Sequence, residues 1–168
     1  MPKIEEIDLS LISNYSTETY NSVCSLIENN MLEKYLLDRY PNYHSISNNK
    51  ELLLYAKQLK NRYLKKSQPL HKVSYDDSID RVYKALGLNS SKSFSHGRKT
   101  KSVIEIRISS IFKKCPDEFL KMIVVHELAH LKEKNHDKKF YSLCQNMESN
   151  YFQLEFDFRL YLIQLEME

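Results

Sequence analysis

Between Pro116 and Glu133 the chain runs PDEFLKMIVVHELAHLKE, a segment so apolar that, as a helix, it has to be covered on most sides by the rest of the fold. Pro116 suits an early helical position, and Asp117 and Glu118 fall in the first turn, where the helix dipole favours negative charge. Among Ile123, Val124, Val125, Leu128, Ala129 and Leu131 stand three polar side chains, His126, Glu127 and His130, which are costly to bury without partners.

Two histidines four residues apart project from one helix face, one turn from each other, and can both reach a single zinc ion. Glu127, offset by one residue, can set its carboxylate beside a water in the open coordination position without ligating the metal itself. Composition alone puts H-E-x-x-H in roughly 2 of 100 chains with this histidine and glutamate content, so the motif needs support from its context. A catalytic zinc site takes a third protein ligand, for which His136, Glu148 and Glu155 are the candidates. In a continuing helix, six residues would carry His136 about 240° around from His130. The chain must therefore leave the helix first. Asn135, which tolerates left-handed backbone, is expected to permit the exit, and Asp137 to cap a following helix from Lys138. On this spacing His136 is favoured over either glutamate, while His44, His71 and His96 are isolated and not expected to be ligands.

The rest of the chain reads as mostly helical, since two glycines and four prolines in 168 residues specify few tight turns. Val23, Leu26, Ile27, Met31, Leu32 and Leu36 recur at three- and four-residue intervals up to an interruption at Tyr40-Pro41. A further helix is expected from Asn49 to Lys66 through Leu52, Leu53, Ala56, Leu59 and Tyr63, with Lys57, Lys60, Arg62, Lys65 and Lys66 facing solvent. Ser67-Gln68-Pro69 breaks it and marks the expected boundary between an N-terminal helical region, residues 1–68, and a catalytic core, residues 69–168, although one compact domain also suits this length. A strand near Val73, a helix from about Ile79 to Leu86 and a basic loop from Asn89 to Lys101 follow. Residues 103–109 then alternate, with Ile104, Ile106 and Ile108 on one face, as in a half-buried strand.

The net charge of +3 is uneven, because residues 67–125 carry 11 basic against 6 acidic side chains. That excess reads first as solvated surface and second as a face for an anionic substrate. Cys24, Cys115 and Cys144 are odd in number and fit no C-x-x-C spacing, which implies free thiols in a reducing compartment. With no secretory signal pattern in MPKIEEIDLS and no apolar run of membrane-spanning length, a cytoplasmic location is expected.

The run VVHELAHLKEKNHDKKFY, with EIRISSIFKKCPDEFLKMI before it and MESNYFQLEFDFRLYL after it, resembles the YgjP-like family of small bacterial metal-dependent hydrolases. The likeness extends to LEKYLLDRYPNY and LKNRYLKK. It implies an α+β fold, a helix-rich minimal zincin-like metallopeptidase core with a small mixed sheet and an N-terminal helical region. It further implies His126, His130 and His136 as ligands of one zinc ion per chain and Glu127 as the catalytic carboxylate. The H-E-x-x-H-x5-H spacing is shared with metzincins, but Glu133 stands where their turn glycine would be, and Met147 reads as a packing residue.

The first functional expectation is peptide hydrolysis, a Glu127-activated zinc-bound water attacking a peptide carbonyl while the substrate pairs with the strand at 103–109. The alternative arises from the resemblance, since that family is divided between peptidases and nucleoside-triphosphate pyrophosphatases, with UTP the nucleotide named. Arg98, Lys101 and Arg107 are then the substrate-binding residues, with Lys92, His96 and Lys99 beside them. A purely structural zinc site would close with four protein ligands, and no cysteine lies near enough in sequence to be an obvious fourth. A peptide or nucleotide substrate is thus the expected partner, with no membrane and no specific nucleic acid.

Overall fold

The computed structural model describes residues 4–79 and 104–168. Within them the helices are α1 (Thr17–Glu28), α2 (Leu32–Arg39), α3 (Asn49–Tyr63), α4 (Asp117–Ala129), α5 (Lys138–Met147) and α6 (Tyr151–Met167), and the strands are β1 (Leu70–Asp76) and β2 (Ile104–Ser109). Short 3-10 turns occupy Ile4–Glu6, Ser10–Ile12 and Ser110–Lys114. This is the expected helix-rich α+β fold. Among the described residues, no helix is long and apolar enough to cross a membrane.

Local chemistry accounts for the helix ends. Ser16 caps α1 by accepting from the Thr19 amide, and Asn48 caps α3 by accepting from Glu51, whose carboxylate accepts in turn from the Ser47 amide. Asn30, at φ 55°, closes α1 in left-handed geometry while the Met31 amide reaches back to the Leu26 carbonyl at 2.8 Å. Helix α2 stops at Arg39, immediately before Tyr40-Pro41, as the sequence predicts. Helix α3 ends at Tyr63 rather than Lys66. Lys60 departs from the expected solvent face, being only 5% exposed, because it extends the inward stripe of Leu52 and Ala56 by one more turn.

Strands β1 and β2 pair in parallel, with Val73 opposite Ile106 and Tyr75 opposite Ile108. The helix expected over Ile79 to Leu86, apart from Ile79, and the loop expected over Asn89 to Lys101 lie outside the described residues. One cluster of buried side chains runs from Leu11 and Ile12 through α1, α2, α3 and the strands to α4, α5 and α6. Helix α4 lies deepest in it, with Phe119, Leu120, Met122, Val124, Val125, Leu128 and Ala129 fully buried.

Helix α6 packs beside α4 through rings: Phe158 lies 5.4 Å from Phe119 and 4.6 Å from Phe112, centroid to centroid. Between these rings and α2 sits Asp157, a carboxylate with no solvent exposure. It accepts from Tyr35 at 3.0 Å, from Tyr40 and from the Gln153 amide at 3.1 Å, and pairs with Arg39 Nε at 3.3 Å. A buried charge needs such a set of donors, and here they fasten α2 to α6. The periodicity of the sequence carries no sign of this network.

Candidate metal centre

Pro116 is the N-cap of α4, at ψ 146°, so the helix begins at Asp117. It ends at Ala129, earlier than the expected Glu133. The amides of Leu131 and Lys132 fold back three residues onto the carbonyls of Leu128 and Ala129, and the Glu133 amide shares the Ala129 carbonyl. The exit is therefore made by a tightened last turn and by a bend in which the Asp137 amide donates to the Asn135 carbonyl at 2.9 Å. Asn135 is not left-handed; Asn30 holds that geometry among the described non-glycine residues. Asp137 then caps α5 as expected, its Oδ1 accepting from Lys139 and Phe140, both at 3.0 Å.

This path turns His136 back onto α4. Its Nε2 stands 3.1 Å from Nε2 of His126 and 3.0 Å from Nε2 of His130. Phe140, fully buried, forms the floor, with its ring centroid 4.6–4.9 Å from those of all three imidazoles. His130 Nδ1 lies 3.0 Å from the Glu133 carbonyl, which can only accept, so Nδ1 carries the proton and Nε2 is bare. His136 Nε2, with one proton at most, cannot satisfy two facing nitrogens. Ring nitrogens converging in this way fit a cation between them. The separations fall slightly under the about 3.3–3.4 Å edge of a tetrahedron with bonds of about 2.0–2.1 Å, as zinc takes with histidine. Among the described residues, His126, His130 and His136 form the group of ligating side chains able to hold a metal ion.

The electrostatics suit this role. Burial foremost, then the neighbouring His130 and His136, holds His126 well below the ordinary histidine range, and burial also lowers His130. Imidazoles kept neutral are ready to ligate. Burial pushes Glu127, on the same helix and adjacent to His126, up to about 7. Behind the triad, His126 Nδ1 lies 2.6 Å from the hydroxyl of Tyr151, the first residue of α6 and fully buried. Burial holds that phenol far above its usual pKa. Sequence reading misses Tyr151, because nothing in the spacing of a tyrosine 25 residues beyond a histidine reports contact.

The other candidates have different partners. Glu148 pairs with Lys121 at 2.6 Å and accepts from the Asn150 amide, and Glu155 pairs with Arg159 at 3.0 Å. His44 Nε2 lies 2.7 Å from the Phe112 carbonyl, and His71 Nδ1 accepts from the Ile104 amide. Arg107 on β2 pairs with Asp76 on β1 at 2.9 Å, while Arg98 and Lys101, with Lys92, His96 and Lys99, lie outside the described residues. Met147 is a buried residue at the end of α5, packed in the core. All three cysteines are free.

The family described as YgjP-like, metallopeptidase domain, matches residues 28–157. A protein of Escherichia coli (strain K12) named UTP pyrophosphatase is 44% identical over 160 residues, which cover 95% of this chain and 96% of that protein. No solved structure matches the chain significantly.

Proposed function

Because the chain belongs to the YgjP-like family of metal-dependent hydrolases, we propose that His126, His130 and His136 hold one zinc ion, that Glu127 is the general base, and that the bond cleaved is a phosphoanhydride of UTP. The convergence of the three Nε2 atoms at 3.0 and 3.1 Å supports the metal site. The substrate rests on the 44% identity, over nearly the whole of both chains, to a protein named UTP pyrophosphatase. A donor set of three imidazoles without thiolate, which leaves a coordination position open, supports zinc as the ion.

A zinc ion held by His126, His130 and His136 would supply Lewis acidity, lowering the pKa of a water toward about 7 and stabilising charge on the phosphoryl group. Glu127 takes the proton of the attacking water as its oxygen bonds to phosphorus, and returns it to the departing pyrophosphate as the anhydride bond breaks. The products are UMP and pyrophosphate. Burial alone raises Glu127 to about 7 in the metal-free protein, and a cation beside it would favour the carboxylate, so the group is ionised near neutrality and able to accept the water's proton. Arg98 and Lys101 supply positive charge for the polyphosphate in this reading, with Arg107 joining them if it releases Asp76.

Peptide hydrolysis is the second reading, and two observations favour it. The matching family is described as a metallopeptidase domain, and β2, paired with β1 along one edge, has no strand on its other edge among the described residues. An extended peptide adds to such an edge through backbone hydrogen bonds. The deciding experiment offers a nucleotide panel and a peptide library to the zinc-loaded protein and its Glu127→Gln variant. The expected result is pyrophosphate release from UTP, slowed in the variant by about 10²–10⁴-fold. Cleavage of peptides without nucleotides overturns the substrate, and equal turnover by both proteins overturns the base.

A further inference from the structure

We infer that Tyr151 is a positioning residue that locks His126 in the tautomer able to bind metal through Nε2, and that Glu155, held by Arg159, sets the direction of the lock. The inference rests on the metal-site reading above. Tyr151, Glu155 and Arg159 follow one another at four-residue intervals and so share one stripe of α6. The Tyr151 hydroxyl lies 2.6 Å from His126 Nδ1, and Glu155 stands one helical turn further along the same stripe. Arg159 pairs with Glu155 through Nη2 at 3.0 Å and donates through Nη1 to the Leu11 carbonyl at 3.1 Å. The stripe thus connects His126 to the 3-10 turn Ser10–Ile12 near the N-terminus.

A phenol hydroxyl has one proton to give, and the direction in which it gives it decides the state of His126. If it donates to Nδ1, the histidine proton sits on Nε2 and no lone pair points at the triad. If it donates away from the ring, its oxygen accepts from Nδ1–H and leaves Nε2 bare. A carboxylate only accepts, so Glu155, one turn along the stripe, favours a tyrosine proton directed away from His126 and selects the second arrangement. Arg159, only 13% exposed with its partner at 14%, keeps the carboxylate in place. His130 needs no such device, since the Glu133 carbonyl fixes its tautomer directly.

The test compares wild type with Tyr151→Phe, Glu155→Gln and, as a control on the neighbouring ring, Tyr141→Phe, whose centroid lies 6.2 Å from that of Tyr151. Zinc affinity is measured by competition with a chelator, and the His126 tautomer is read in the metal-free protein from imidazole nitrogen chemical shifts. Tyr151→Phe is expected to weaken zinc binding about 10- to 100-fold and to move the His126 proton toward Nε2, with a smaller shift of the same sign in Glu155→Gln and none in Tyr141→Phe. Circular dichroism shows which variants fold. A folded Tyr151→Phe protein with wild-type zinc affinity and an Nδ1–H tautomer overturns the inference. If that variant does not fold, unchanged values in Glu155→Gln overturn it equally. Wild type without zinc affinity would defeat the metal-site reading instead, while the tautomer of the metal-free protein would still judge Tyr151.

Discussion

Nε2 of His136 stands 3.0 Å from Nε2 of His130 although the end of a helix separates the two residues. Six residues of continuing helix would have turned His136 away, so this distance measures how well the break after Ala129 has been made. On the proposed metal site, the interactions that shape the break are functional as well as structural.

The first expected outcome concerns the ligands. Zinc analysis of wild type should give about one ion per chain, and His136→Ala should lower the affinity by more than the about 10- to 100-fold that outer-shell changes cost. Glu148→Ala should retain zinc, because its carboxylate is engaged by Lys121 and the Asn150 amide. Its effect is a stability loss of about 0.2–1 kcal/mol, typical of a partly exposed ion pair. The reverse pattern in a chelator titration would make a carboxylate the third ligand.

Asp137 links local folding to the site, since it caps α5 and directly follows His136. Asp137→Ala should cost about 1 kcal/mol in denaturant unfolding and also weaken zinc binding, whereas Asp137→Ser, which restores a cap, should recover most of both. Loss of stability with unchanged zinc affinity would separate the cap from the position of His136.

The pH dependence of the metal-free protein contains two opposed contributions. His126 is held below its ordinary value, so between that lowered pKa and about 6.5 the unfolded chain binds more protons, and stability falls with acidification through this window. Glu127 is raised to about 7 from 4.5, so from about 4.5 to 7 the folded chain binds more protons, and its contribution is lost as pH rises. Thermal unfolding of metal-free His126→Gln should therefore weaken less on going from pH 7 to pH 5 than wild type does. Glu127→Gln should gain on wild type as pH rises from 5 to 8. Parallel curves for all three proteins would show that neither group is shifted.

Asp157 provides a control outside the histidine cluster. Asp157→Ala should destabilise the fold by about 3 kcal/mol in equilibrium denaturation, because Arg39, Tyr35 and Tyr40 lose a common buried acceptor. At temperatures where the variant remains folded, its zinc affinity should equal that of wild type. A loss of zinc from the folded variant would mean that the α2 to α6 clamp positions α6, and with it Tyr151, for the site.

What the sequence determined by itself is what repeats along the chain or lies within a few residues. The apolar stripe of α3, the alternation of β2, the stop before Pro41, the Asp137 cap and the pairing of His126 with His130 all follow from spacings of two to four residues. Even the need for a break before His136 was readable, because a helix rotates by a known angle, although the device that makes it is a tightened turn rather than a left-handed Asn135. The tertiary structure alone decided which groups from distant segments share a buried space. Tyr151 behind His126, Asp157 beneath Arg39 and Tyr40, and Lys60 drawn into the core depend on the packing of one helix against another. The physical reason is that periodicity states which face of a helix is covered, whereas the partner of a buried polar atom is chosen by whatever the fold brings within about 3 Å of it.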